Sequence, residues 1–107
     1  MPARKNPLLG KWRIVEMALW DTDFLDLVEP AYIAFRADGG GEFVFGAVHG
    51  DLDCRYGRDG VSFTWQGFDE MDAASGSGTA KLDQAGSLMG EIRFHLGDES
   101  TFKARRW

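Results

Sequence analysis

From residue 10 onward, apolar and polar positions alternate in short runs cut by glycine and aspartate, the period-two signature of strands lying on a core. The first strand, over residues 10–19, puts Trp12, Ile14, Glu16 and Ala18 on one face and Lys11, Arg13, Val15 and Met17 on the other. Both faces turn apolar toward its end, where parity stops discriminating. Residues 21–30 break the alternation. Asp21 or Thr22 can cap a short helix over 23–28, with Phe24, Leu27 and Val28 as its buried side and Pro30 as its stop.

Strand and turn then follow without interruption. Ile33 and Phe35 alternate with Tyr32, Ala34 and Arg36, and Asp38-Gly39-Gly40 is a hairpin turn. Phe43, Phe45 and Ala47 form one face of the next strand, and His49-Gly50 is read as the turn after it. Leu52, Cys54 and Tyr56 alternate with Asp51, Asp53 and Arg55 before a turn at Arg58-Asp59-Gly60. Val61, Phe63 and Trp65 face inward against Ser62, Thr64 and Gln66. Residues 67–77 lose the periodicity and are expected to form a long, mobile loop. A short strand over 78–82, a turn at 83–86, an alternation of Leu88, Gly90, Ile92, Phe94 and Leu96, and a last strand over 101–106 complete the chain. The pattern predicts an all-β fold: an antiparallel meander of about eight strands with one short helix after the first. Closing it into a barrel removes exposed edges, and an eight-stranded barrel is either just filled by side chains or holds one small ligand.

Gly10-Lys11-Trp12 on an opening strand resembles the signature of the calycin group, which comprises lipocalins, fatty-acid-binding proteins, avidins and their small bacterial relatives. The resemblance rests on this motif and the strand order. It implies a closed lipocalin-like barrel whose first strand pairs with its last, with Arg105 or Arg106 laid over Trp12 and the helix as a lid over the open end.

At 107 residues the chain has room for a single domain, 1–107. Its net charge of −5 argues against nucleic acid as a partner. The one dense basic cluster, Lys103-Ala104-Arg105-Arg106, fits an exposed strand face. The basic N-terminus is not followed by an apolar stretch, and no run approaches the roughly 20 apolar residues of a membrane helix, so neither a signal peptide nor membrane association is expected. Cys54 is the single cysteine and cannot form an internal disulfide. A cytoplasmic location is the expectation.

Candidate chemistry is sparse. His49 and His95 have no second ligand at metal-binding spacing, Cys54 has no neighbouring base, and Asp21, Asp23 and Asp26 lack the remainder of a calcium loop. The glycine clusters do not join a strand to a helix, so no phosphate cradle is indicated. No catalytic residues, metal or cofactor are expected. For binding, Tyr32, Phe43, Phe45, Phe63, Trp65 and Phe94 would line the interior, Glu16 paired with Arg36 would either sit in water at the barrel mouth, the favoured reading, or supply a polar end, and Gly78, Ala80 and Gly90 would leave room. Three readings stand: carriage of a small apolar or amphipathic molecule inside the barrel, a filled core, or an enzyme, for which no nucleophile–base pair and no metal or cofactor motif is seen. In the second, a protein partner or a further copy of the chain meets exposed aromatics such as Trp20, Phe68 or Trp107.

Overall fold

The computed structural model of the chain describes residues 7–58 and 60–107. The alternation resolves into β1 (Gly10–Met17), β2 (Tyr32–Phe35), β3 (Gly40–Phe45), β4 (Val48–Tyr56), β5 (Gly60–Asp69), β6 (Asp72–Leu82), β7 (Leu88–Phe94) and β8 (Glu99–Arg106). The helix α1 (Thr22–Leu25) follows β1. Each strand pairs antiparallel with the next, and β1 pairs with β8, so the meander closes into a barrel. Closure leaves neither the first nor the last strand as an open edge.

Trp12 anchors the closure. Its side chain is buried, and its indole N–H donates to the Leu8 carbonyl at 2.9 Å. Arg106, its register partner on β8, holds its guanidinium carbon 3.9 Å from the indole centre. Two nitrogens of the same guanidinium donate to the carbonyls of Leu9 and Pro7, at 2.7 and 2.6 Å. Of the two arginines proposed for this place, Arg106 takes it.

The barrel packs by setting small residues against large ones. On β6 the inward positions are Gly76, Gly78 and Ala80, and their partners on β5 are Trp65, Phe63 and Val61. A β-carbon on Gly78 would lie 2.5 Å from the Phe63 ring, and one on Gly90 would lie 2.9 Å from the Phe102 ring. The space expected beside Gly78 and Gly90 is therefore taken by the Phe63 and Phe102 rings, while an open concavity of about 470 Å³ lies against Val61, Ala80 and Gly90. Alternation of small and large side chains fills the tapering interior of a small barrel in this way.

Several local expectations are corrected. The β1–β8 register shifts between Ile14 and Glu16, and this bulge reverses the parity: Met17 is buried and Glu16 is exposed. Residues 67–77 form no loop, because β5 and β6 continue as one hairpin turning at Glu70-Met71. The turn after β3 is Gly46-Ala47, with Phe45 paired to Val48, while His49 and Gly50 lie within β4. Asp21 caps α1, its carboxylate accepting from the Phe24 N–H at 3.0 Å, but the helix ends at Leu25. Leu25 is buried and Phe24 partly so, whereas Leu27 and Val28 are exposed, as is Leu96. Asp59 of the expected turn at 58–60, and residues 1–6 at the basic N-terminus, lie outside the described residues.

Candidate functional site

The residues expected to line a cavity line each other instead. Phe43, Phe45, Phe63 and Trp65 are buried, and Phe94 is half-buried at the end of β7. The Phe43 ring lies 4.9 Å from that of Trp65 and 5.6 Å from that of Phe45, and Trp65 meets Phe94 edge-on at 5.1 Å. These separations are those of directly packed aromatic pairs. Phe63 packs nearer the other end, 6.4 Å from Phe35. Trp65 places its indole N–H on the Arg93 carbonyl at 3.2 Å, so its one polar atom needs no ligand.

The polar end expected from Glu16 and Arg36 is not assembled. Arg36 follows β2 at the end of the barrel where β1 begins, whereas Glu16 lies near the end of β1, about 20 Å away along the strand. Arg36 is exposed and lies 3.8 Å from both Asp38 and Glu42. Tyr32 faces outward. Its hydroxyl donates to Glu42, and the Lys11 ammonium sits 4.2 Å from its ring centre and 4.2 Å from that of Trp107. Burial and the neighbouring Glu42 carboxylate raise the Tyr32 phenol above its ordinary range. Its own side-chain partners therefore occupy Tyr32.

A lid covers the mouth above the aromatic stack. Trp20, just beyond β1, lies 5.1 Å from Phe45, 5.9 Å from Phe24 and 6.1 Å from Phe94. The short α1 is fastened by the Gly46 N–H donating to the Leu25 carbonyl at 2.8 Å. Asp26 fastens it twice more, pairing with Arg13 at 2.8 Å and accepting from the Ala31 N–H at 2.9 Å. Gly46, at φ +57°, gives up its side-chain space to the Phe24 ring. Trp20, expected on the surface, is thus half-buried as the innermost part of the lid.

The remaining chemistry is quiet. Cys54 is buried, and burial pushes its thiol up to about 11, away from the thiolate that a nucleophile requires. Tyr56 donates to the Arg36 carbonyl at 2.9 Å, and its phenol is likewise raised by burial, to about 12. His49 and His95 are exposed. Among the described residues no group of His, Cys, Asp and Glu gathers around a common point where a metal ion could sit. No helix among them is long and apolar enough to cross a membrane.

The concavities that are present open to the outside. One of about 870 Å³ runs over β4–β7 and is lined by polar side chains, Asp51, Asp53, Gln66 and Arg93 among them, and equally by apolar surface that includes Leu52, Trp65 and Phe94. Exposed apolar side chains are the other unexplained feature. Phe68 and Trp107 are exposed as expected, and they are joined by Leu19, Leu27, Val28, Met71, Met89 and Leu96. Sequence reasoning placed Leu27, Val28 and Leu96 inside because they continue an apolar period. The signal that could have corrected this is length, since each lies beyond the end of its element.

No family model, no curated protein and no solved structure matches this chain.

Proposed function

We propose that this chain is a binding module that recognises another protein through its outer surface and carries no ligand within its barrel. The observation supporting this is the filled interior: Phe43, Phe45, Trp65 and Phe94 contact one another where a ligand would have to lie. A carrier site is a cavity of several hundred cubic ångströms with a few convergent polar groups, and the two groups expected to converge stand at different ends of the barrel. The pairing of β1 with β8 and the seat of Arg106 on Trp12 support a calycin-like barrel, used here as a scaffold. A single, buried thiol is in keeping with a reducing compartment.

The test is a thermal-melt screen of fatty acids, aromatic acids and flavin- or haem-like compounds near millimolar concentration, with native mass spectrometry of the purified chain. Ligand at 100 times its Kd stabilises by about 2.7 kcal/mol, which a melt resolves readily. The expected result is an unshifted melt and a mass equal to that of the bare chain. A co-purifying small molecule, or a melt raised in proportion to ligand concentration, overturns the reading in favour of carriage.

A further inference from the structure

The two ends of the barrel differ in both polarity and charge. At the lid end lie residues 18–31 and the turns at 46–47, 70–71 and 95–98, and these carry Leu19, Leu27, Val28, Met71 and Leu96 at 51, 63, 67, 94 and 95 % exposure. The turns at the opposite end, over 36–39, 57–58 and 83–87, carry no exposed large apolar side chain, and the adjoining strand ends carry two, Met89 and Trp107. The lid-end segments also carry Asp21, Asp23, Glu29, Glu70 and Asp98, while no lysine or arginine lies on any of them. None of those carboxylates has an ion-pair partner among the described residues. On the opposite-end turns Arg36 and Arg58 stand with Asp38 and Asp83, and Lys81, Arg105 and Arg106 lie on the adjoining strand ends.

We infer that the lid end docks a segment of a partner protein that is both basic and apolar: lysine- or arginine-bearing, with leucine- or methionine-like side chains on one side. This rests on the proposed role as an interaction module and names the face and the partner chemistry. Exposed leucines and a methionine gain by leaving water, and unpaired carboxylates around them gain by meeting cations. A basic amphipathic segment satisfies both at once. Two other occupants fit worse. A second copy docked symmetrically would set carboxylate against carboxylate, and one docked head to tail would offer arginines already engaged, Arg36 by Asp38 and Glu42 and Arg106 by Trp12 and two carbonyls, beside the exposed Trp107. An anionic lipid surface would be repelled by the same carboxylates.

The experiment titrates the full chain with a fluorescently labelled amphipathic peptide of leucine and lysine, using the matching leucine and glutamate peptide as control. Binding of the lysine peptide alone is expected, weakening with added salt. The double variant Met71→Ser/Leu96→Ser should weaken it about tenfold, the effect of losing one interfacial anchor. Both side chains are almost wholly exposed, so an unchanged melt will show that the variant still folds. Arg55→Ser/Lys81→Ser, toward the opposite end, should leave binding unchanged. The inference is overturned by equal binding of both peptides, by binding that ignores the Met71 and Leu96 changes, by no binding, or by a concentration-dependent dimer that those changes abolish. If the ligand screen is also silent, failure here removes the docking face and leaves the interaction role standing. A positive ligand screen removes the role itself.

Discussion

The guanidinium of Arg106 and the indole of Trp12 meet at 3.9 Å, so the last strand is fastened to the first by a cation on an aromatic face as well as by the sheet ladder. Exposed cation–π contacts contribute about 0.5–1 kcal/mol, and the same guanidinium also holds two carbonyls of the chain entering β1. Arg106→Gln should therefore lower stability by about 1 kcal/mol in urea denaturation, while Trp12→Ala should cost on the order of 3–5 kcal/mol. Similar losses for the two variants would mean that Trp12 is not the closure's anchor.

Gly78 tests whether the barrel is full. Its β-carbon position lies against the Phe63 ring and the Glu91 carbonyl, so Gly78→Ala should destabilise by about 1–3 kcal/mol, as overpacking does. A neutral or stabilising result would show free volume at that wall and revive interior carriage.

Gly46 tests the lid. Alanine there meets both an unfavourable positive φ and the Phe24 ring, so Gly46→Ala should cost about 1–3 kcal/mol. Because Phe24 stacks on Trp20, tryptophan emission should move to the red. Lost stability with unmoved emission would mean that the strain is confined to the turn.

Cys54 and Tyr56 predict the alkaline limit. Each is raised in the folded state, from 9.0 to about 11 and from 10.0 to about 12. Above pH 9 the unfolded chain releases these protons while the native chain retains them, so stability is fully present below pH 9 and falls as pH climbs through 11 and 12. Denaturant midpoints across that window check it, and Cys54→Ala should flatten the first part of the fall. At neutral pH, thiol reagents should label Cys54 only once urea unfolds the chain.

The strand order was legible because it depends on hydropathy alternation, and the calycin resemblance narrowed the closing arginine to Arg105 or Arg106, of which Arg106 is seated on Trp12. Parity failed at Glu16 because one inserted residue reverses every side chain beyond it, and no composition marks a bulge between Ile14 and Glu16. The β5–β6 hairpin was illegible for a different reason. The inner face of β6 is Gly76, Gly78 and Ala80, side chains too small to contrast with serine and threonine, so a buried strand looks like a polar loop. Tyr32 and Arg36 stand on the outer face, opposite to Ile33 and Phe35, and only the settled register shows that their partners are Lys11 and Glu42. Whether inward aromatics enclose a void or fill it depends on ring packing, which a linear pattern does not contain.

Pairing of β1 with β8 brings Gly10 and Arg106 to the same rim, opposite the lid. A tag, a linker or a surface attachment joined to either strand therefore leaves the molecule from the side opposite the lid. Tethered in that way, the barrel stands like a post with its acidic, apolar head turned outward, and the face proposed for docking stays clear of whatever holds the chain in place.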